Sequence, residues 1–385
     1  MTTLLLPRGF STHTGRSGIR DDRDDFLVVA SDVPAAVSAV FTRSRFAGPS
    51  VVLSRAAAAS MTGRGVIALS GNANVATGEG GLSDAREVRA GVARALGVAD
   101  DELLITSTGL IGRRYPMPAV RDHLATLEYP FGGADFEAAA KAFMTTDTRH
   151  KVRSARCGTA SLVGIAKGVG MMEPNMATLL TFFFTDAELE PGVLDTVFRR
   201  VIDRTFNALS IDTDTSTSDT AAVFANGLAG PVDVAEFERE LFGVALGLVK
   251  DIARDGEGAT KLIEVAVTGA RDSEQARRVG KTIVNSPLVK TAVHGADPNW
   301  GRVAMALGKC EEDTDIAPEN VTIGFGEVDV YPEPPDQGRL SQVAKHLKGD
   351  EVVIRVGLGT GHSAFRVYGC DLTEGYVRLN ADYST

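Results

Sequence analysis

The chain of 385 residues is 44% hydrophobic and 23% charged, enough apolar material for a large core, which excludes a peptide, a linker or a disordered tail. Forty basic against fifty acidic side chains leave a net charge of −10, a field that repels nucleic acid and anionic lipid but still permits a local basic pocket. Cys157, Cys310 and Cys370 are an odd set without C-x-x-C spacing, which argues against a disulfide framework or a thiolate zinc site.

The opening MTTLLLPRGF has no basic region before its short apolar stretch, so it does not read as a signal peptide. The strongest apolar run, Leu179–Phe184, is far short of the ~18 to 20 residues of a membrane helix. The expectation is a cytoplasmic protein with no membrane and no nucleic-acid partner. In chain order, Phe26–Ala30, Ser50–Leu53, Val66–Leu69, Leu103–Ile105 and Glu351–Val356 read as strands, being short and apolar, most of them rich in β-branched residues. Apolar positions recur at three and four residues in Ala85–Leu96, with Ser83 or Asp84 as N-cap, and in Phe136–Met144, Leu194–Phe206 and Phe237–Arg254. Strands alternating with helices give an α/β or α+β class. The polar stretch Ser210–Thr220 reads as a loop of hydroxyl and Asx turns, and His294–Arg302, with the one Trp, as a structural corner or a pocket wall.

Elimination narrows the chemistry. G-x-S-x-G and H-E-x-x-H are absent, and the six histidines have no metal-ligand spacing. Gly280-Lys281-Thr282 resembles the end of a phosphate loop, but Gln275 stands where its first glycine is needed. Gly357-Leu358-Gly359-Thr360-Gly361 is not a dinucleotide fingerprint.

What remains is Lys167–Phe184, in which a Gly- and Pro-containing loop delivers Ala177 and then Thr178 to an apolar strand. A small residue leaves its carbonyl open to attack, and a β-branched threonine holds Oγ in few directions. A threonine hydroxyl needs a base beside it, and a free N-terminal threonine uses its own amine, so this chemistry requires a cut between Ala177 and Thr178. The alternative is a glycine turn entering a buried strand. Lys167 is either a cation for a substrate carboxylate or a surface lysine. In Ser107–Gly112, Thr108 and Gly109 at a strand end can present a hydroxyl and an N–H toward one point, as an oxyanion hole requires, although such turns are common.

Five blocks in order, Ser107–Gly112, Lys167–Leu180 with its Asn-Met-Ala-Thr-Leu-Leu core, Asp255–Lys261, His294–Arg302 and Asp371–Asn380, resemble the ornithine acetyltransferases, also called glutamate N-acetyltransferases. The resemblance runs from about residue 70 to the C-terminus. Thr42–Ser50 and Thr373–Tyr376 are similar to the branch of that family found in clavulanic acid (antibiotic) biosynthesis clusters.

The resemblance implies an N-terminal-nucleophile-like α/β sandwich that cuts itself into an α chain, 1–177, and a β chain, 178–385, which stay interlocked as an α2β2 heterotetramer. It implies acetyl transfer from N-acetylornithine to glutamate, as in arginine biosynthesis, by a ping-pong reaction through an acetyl-Thr178 ester, with no cofactor and no metal. Thr108 and Gly109 would form the oxyanion hole. Thr145 or Thr146, Lys167, Glu257, Asn380 and Thr385 would bind substrate, Lys167 at the α-carboxylate and Glu257 near the amine. Val169 and Ser384 depart from the family pattern at positions without a catalytic role. The competing readings are a self-cleaving amidase or aminopeptidase that hands the acyl group to water, and a non-catalytic relative that binds an amino acid.

Overall fold

Strand-forming runs buried on both faces build the centre of the molecule. The computed structural model describes residues 4–173 and 179–382. Among them thirteen strands occur: β1 (Phe10–Gly15), β2 (Phe26–Phe41), β3 (Thr62–Asn72), β4 (Leu103–Leu110), β5 (Lys151–Cys157), β6 (Ala160–Lys167), β7 (Leu180–Glu188), β8 (Thr220–Pro231), β9 (Leu262–Ala270), β10 (Thr322–Phe325), β11 (Val328–Tyr331), β12 (Glu351–Gly357) and β13 (Ser363–Cys370). The helices are α1 (Pro49–Ala57), α2 (Gly78–Leu96), α3 (Met117–Ala125), α4 (Phe136–Ala142), α5 (Pro191–Arg204), α6 (Val234–Arg254), α7 (Ser273–Val284), α8 (Pro287–His294), α9 (Gly301–Leu307), α10 (Gln337–Leu347) and α11 (Glu374–Asp382).

One mixed sheet has the order β4-β3-β2-β8-β7-β6-β5 with β1 paired to β2, and a second has the order β11-β10-β12-β9-β13. The expected α/β class is therefore the observed one. Strands β7 and β8 pair in parallel and lie inside the first sheet, β7 against β6 and β8 against β2.

Strand β7 is buried on both faces, which is why Leu180 and Phe182–Phe184 are apolar with only Thr181 between them. On one face Phe184 and Phe182 meet Phe136 and Phe143 of the α4 region at ring distances of 5.4 and 5.8 Å. On the other, Phe183 meets Phe198 of α5 at 6.0 Å. Helix α6 packs on β5 and β6 and also reaches β9 and β13, joining the two sheets through one core. No described helix is long and apolar enough to cross a membrane.

Several element assignments change. Ser50–Leu53 is not a strand but part of α1, which starts with Pro49 in its first turn and ends in alanines. Pro at that position and an alanine-rich tail favour a helix over the pull of two adjacent valines, of which only Val51 is buried. Helix α2 begins at Gly78 after Thr77, so neither Ser83 nor Asp84 caps it. Asp84 instead sits within the helix, buried against the Arg114 guanidinium at 2.6 and 2.7 Å. Helix α4 stops at Ala142, and α5 runs from Pro191, behind the Glu190 cap, to Arg204, with a separate short turn over 206–208. Helix α6 starts at Val234, its N-cap Asp233 accepting from Glu236 N.

Candidate active site

The end of β4 supplies Thr108 and Gly109. Gly109 has φ +127°, and a Cβ there would stand 2.3 Å from the Gly71 carbonyl carbon, so only glycine fits this point of the parallel β3–β4 pair. Lys167, the last residue of the fully buried β6, donates from Nζ to Thr108 Oγ1 at 2.9 Å and to Thr145 Oγ1 at 3.0 Å.

A buried chain of charges holds these parts together. Lys151 Nζ bonds Asp147 Oδ1 at 2.7 Å and Asp255 Oδ2 at 2.6 Å, all three side chains being almost inaccessible. Asp147 also accepts from Thr145 N and Gly168 N, at 3.1 and 2.7 Å. Asp255 accepts from Thr148 N at 3.2 Å and from the Thr148 hydroxyl. The loop after α4, the residue after β6 and the end of α6 are thus fixed to one another. Burial opposes ionisation of Asp147, but the Lys151 and Lys167 charges outweigh it and hold the carboxyl below its usual range. Burial lowers the Lys167 ammonium pKa, against the pull of Asp147 and Asp219.

Glu257 follows directly from that anchor. Its Oε1 accepts from Thr146 Oγ1 at 3.0 Å and its Oε2 from Asn380 Nδ2 at 2.9 Å, so α11 reaches back across the site. Thr108, Gly109, Thr145, Thr146, Lys167, Glu257 and Asn380 line one cavity of about 340 Å³, closed on a further side by Ser216–Ser218 and by Arg20. An adjoining opening of about 280 Å³ shares Arg20, Thr145, Thr146, Glu257 and Asn380 with it. Ala177, Thr178 and Thr385 lie outside the described residues.

The described chain resumes at Leu179. Its N–H donates to Asp219 Oδ1 at 2.8 Å, its carbonyl accepts from Thr220 N at 2.9 Å, and its φ is +115°, a strained value for leucine. Asp219 is buried, and burial pushes its carboxyl up to about 7. Among the described residues Asp219 Oδ2 has no hydrogen-bond partner.

Asp147, Lys151, Asp255, Asp219 and Arg20 are additions to the residues expected from the sequence. Asp219 lies in the polar stretch 210–220, whose density of hydroxyls and carboxylates was its only signal. The segment His294–Arg302 is the corner between α8 and α9: Trp300 packs on Tyr331 at a ring distance of 5.7 Å, and His294 Nδ1 lies 3.0 Å from Asp371 Oδ2. Among the described residues no group of His, Cys, Asp and Glu is arranged to hold a metal ion.

The sequence pattern of the ArgJ family matches residues 11–385. The chain is 66% identical to glutamate N-acetyltransferase Oat2 of Streptomyces clavuligerus, covering 100% of this chain and 99% of that one. It is 54% identical to the arginine biosynthesis bifunctional protein ArgJ 2 of Nostoc sp., with 100% of each chain covered. A crystal structure of the arginine biosynthesis bifunctional protein ArgJ from Bacillus halodurans is 40% identical over 51% of this chain and 96% of that one, with a TM-score of 0.49. The chain belongs to the ArgJ family.

Proposed function

We propose that this protein is a glutamate N-acetyltransferase, which moves the acetyl group of N-acetylornithine to glutamate at the cavity bounded by Lys167 and Glu257. The observation that carries the reading is convergence. One cavity brings together a two-donor element, Thr108 and Gly109, a buried ammonium and a carboxylate, the complement of an amino acid with an acylated amine.

The cycle begins with self-cleavage. Thr178 Oγ attacks the Ala177 carbonyl, the peptide becomes an ester, and water hydrolyses it to leave a carboxylate on Ala177 and a free amine on Thr178. Two features support a cut at this place. The backbone strain at Leu179 adjoins it. Strands β7 and β8, from the later half, are built between β2 and β6 of the earlier half, so the two pieces would remain in one sheet.

In the transfer itself the Thr178 amine takes the hydroxyl proton while Oγ attacks the acetyl carbonyl. The oxyanion forms opposite the Thr108 hydroxyl and Gly109 N–H. Because Lys167 donates to Thr108 Oγ1, the hydroxyl's own hydrogen is turned away from Lys167 and left for the oxyanion. Collapse releases ornithine with the proton and leaves acetyl-Thr178. The amine of glutamate then attacks the ester and departs as N-acetylglutamate. Lys167 faces the α-carboxylate of either amino acid, with Thr145 beside it. Glu257, held by Thr146 and Asn380, faces the amine, and Thr385 is a further substrate-binding residue implied by the family resemblance. The working form is an α2β2 assembly of cleaved chains in the cytoplasm.

Product analysis tests the reading. With N-acetylornithine and glutamate, N-acetylglutamate should form one for one with ornithine. Acetate released at the same rate with and without glutamate would contradict it.

A further inference from the structure

Two amino acids pass through one cavity in this reaction, and they differ at their far ends. Ornithine ends in an ammonium, glutamate in a second carboxylate. Lys167 satisfies one carboxylate only, so an acceptor such as glutamate needs a second cation on the wall. Among the described residues that cation is Arg20, which lines both the 340 Å³ cavity and the 280 Å³ opening beside it.

Arg20 is held in place from two sides. Buried Asp25 accepts from the N–H groups of Ile19 and Arg20 at 2.8 and 2.7 Å, and from Ser17 N and Oγ at 2.6 and 2.8 Å, which fixes the backbone of the turn. The side-chain stem crosses the end of β3 over Gly71. A Cβ at Gly71 would come within 2.9 Å of Arg20 Cγ, and Gly71 has φ +92°, so this crossing depends on glycine. Gly71 is the register partner of Gly109, which brings Arg20 to the expected oxyanion element.

Two arginines share one carboxylate at this end. Arg20 Nε donates to Asp22 Oδ1 at 3.2 Å, and Asp22 Oδ2 accepts from Arg23 Nε at 3.1 Å, two cations on one carboxylate. The Arg20 side chain is 16% exposed and that of Asp22 60% exposed, so the guanidinium is the more enclosed of the two, both of them lining the 340 Å³ cavity. With Nε engaged, neither Nη of Arg20 has a partner among the described residues, which leaves two donors to pair with a carboxylate.

We propose that Arg20, backed by Arg23, selects the acyl acceptor, its Nη groups taking the side-chain carboxylate of a dicarboxylic amino acid while Lys167 holds the α-carboxylate. The inference rests on the acetyl-transfer reading above. It predicts a preference for glutamate over glutamine, whose neutral amide cannot replace the ion pair.

The test uses purified, cleaved enzyme carrying Arg20→Gln or Arg20→Lys, with the half-reactions measured separately: ornithine release from N-acetylornithine, and acetyl transfer to glutamate or glutamine. Arg20→Gln should raise KM for glutamate on the order of 10- to 100-fold and abolish the glutamate-over-glutamine preference, the loss falling on the acceptor half-reaction. Arg20→Lys should recover part of the preference. A wild-type glutamate KM and preference in Arg20→Gln would overturn the assignment, as would an equal loss in both half-reactions. If Arg20→Gln does not fold, Arg20→Lys decides: a raised glutamate KM supports the proposal and an unchanged one overturns it. A wild-type enzyme that releases ornithine but makes no N-acetylglutamate would contradict the transfer reading itself, before any variant is compared.

Discussion

Lys167 Nζ donates to Thr108 Oγ1 at 2.9 Å, so the ammonium expected to bind a substrate carboxylate also orients the hydroxyl expected to meet the oxyanion. On these proposed roles, binding and catalysis are coupled at this side chain. Lys167→Ala should raise KM and also lower kcat, whereas Thr145→Ala, which removes the other acceptor of the same ammonium, should act mainly on KM. Thr108→Ala should lower kcat by roughly 10² to 10³ with a small effect on KM. Steady-state kinetics separates these patterns, and a Lys167→Ala variant with full kcat would break the coupling.

A second prediction concerns stability. Lys151 neutralises Asp147 and Asp255 in a region almost closed to solvent. Lys151→Met leaves two buried carboxylates facing each other, and such a loss costs about 3 to 5 kcal/mol. Urea denaturation of the two proteins measures it, and equal midpoints would contradict the role given to the triad.

How far the sequence carried this picture depends on the range of the interactions. Strand β7 was legible because four of the five residues from Leu180 to Phe184 are apolar, on both faces of the strand. Ser50–Leu53 was misread because two valines outweigh, over four residues, a helix signal that lies in Pro49 and the alanines after Arg55. Among the site residues, local pattern pointed to the Thr108-Gly109 step, to Lys167 and to Thr178, while Glu257 and Asn380 came from family resemblance alone. Asp219 had only the polar density of its stretch to mark it, and Arg20 had no signal. One acquires its role by reaching the N–H of Leu179 forty residues away, the other by crossing Gly71, and neither contact has a local signature.

Asp219 gives a pH-dependent expectation. Burial pushes its carboxyl up to about 7, whereas in the unfolded chain an aspartate ionises near ~4. Between these values the folded protein holds a proton that the unfolded chain has lost, so this group's contribution falls as pH rises from about 4 to about 7. Below that window both states are protonated and above it both are ionised. Asp219→Asn keeps an oxygen for Leu179 N–H and removes the titration, so its stability relative to wild type should rise across the window. A constant difference from pH 4 to 7 would contradict the assignment.

The sheet order makes a further prediction. β2 pairs with β8 and β6 with β7 across the proposed cut, so the two fragments should co-elute in native gel filtration and separate only in denaturant. Fragments that part without denaturant would be incompatible with this topology.

The most direct measurement is denaturing intact mass of the purified protein, taken before and after incubation with N-acetylornithine. The account predicts two fragments separated between Ala177 and Thr178, with the one that begins at Thr178 gaining a single acetyl group and losing it when glutamate is added. A single 40.6 kDa chain, or a fragment that never becomes acetylated, would contradict a threonine ester as the carrier of the acetyl group.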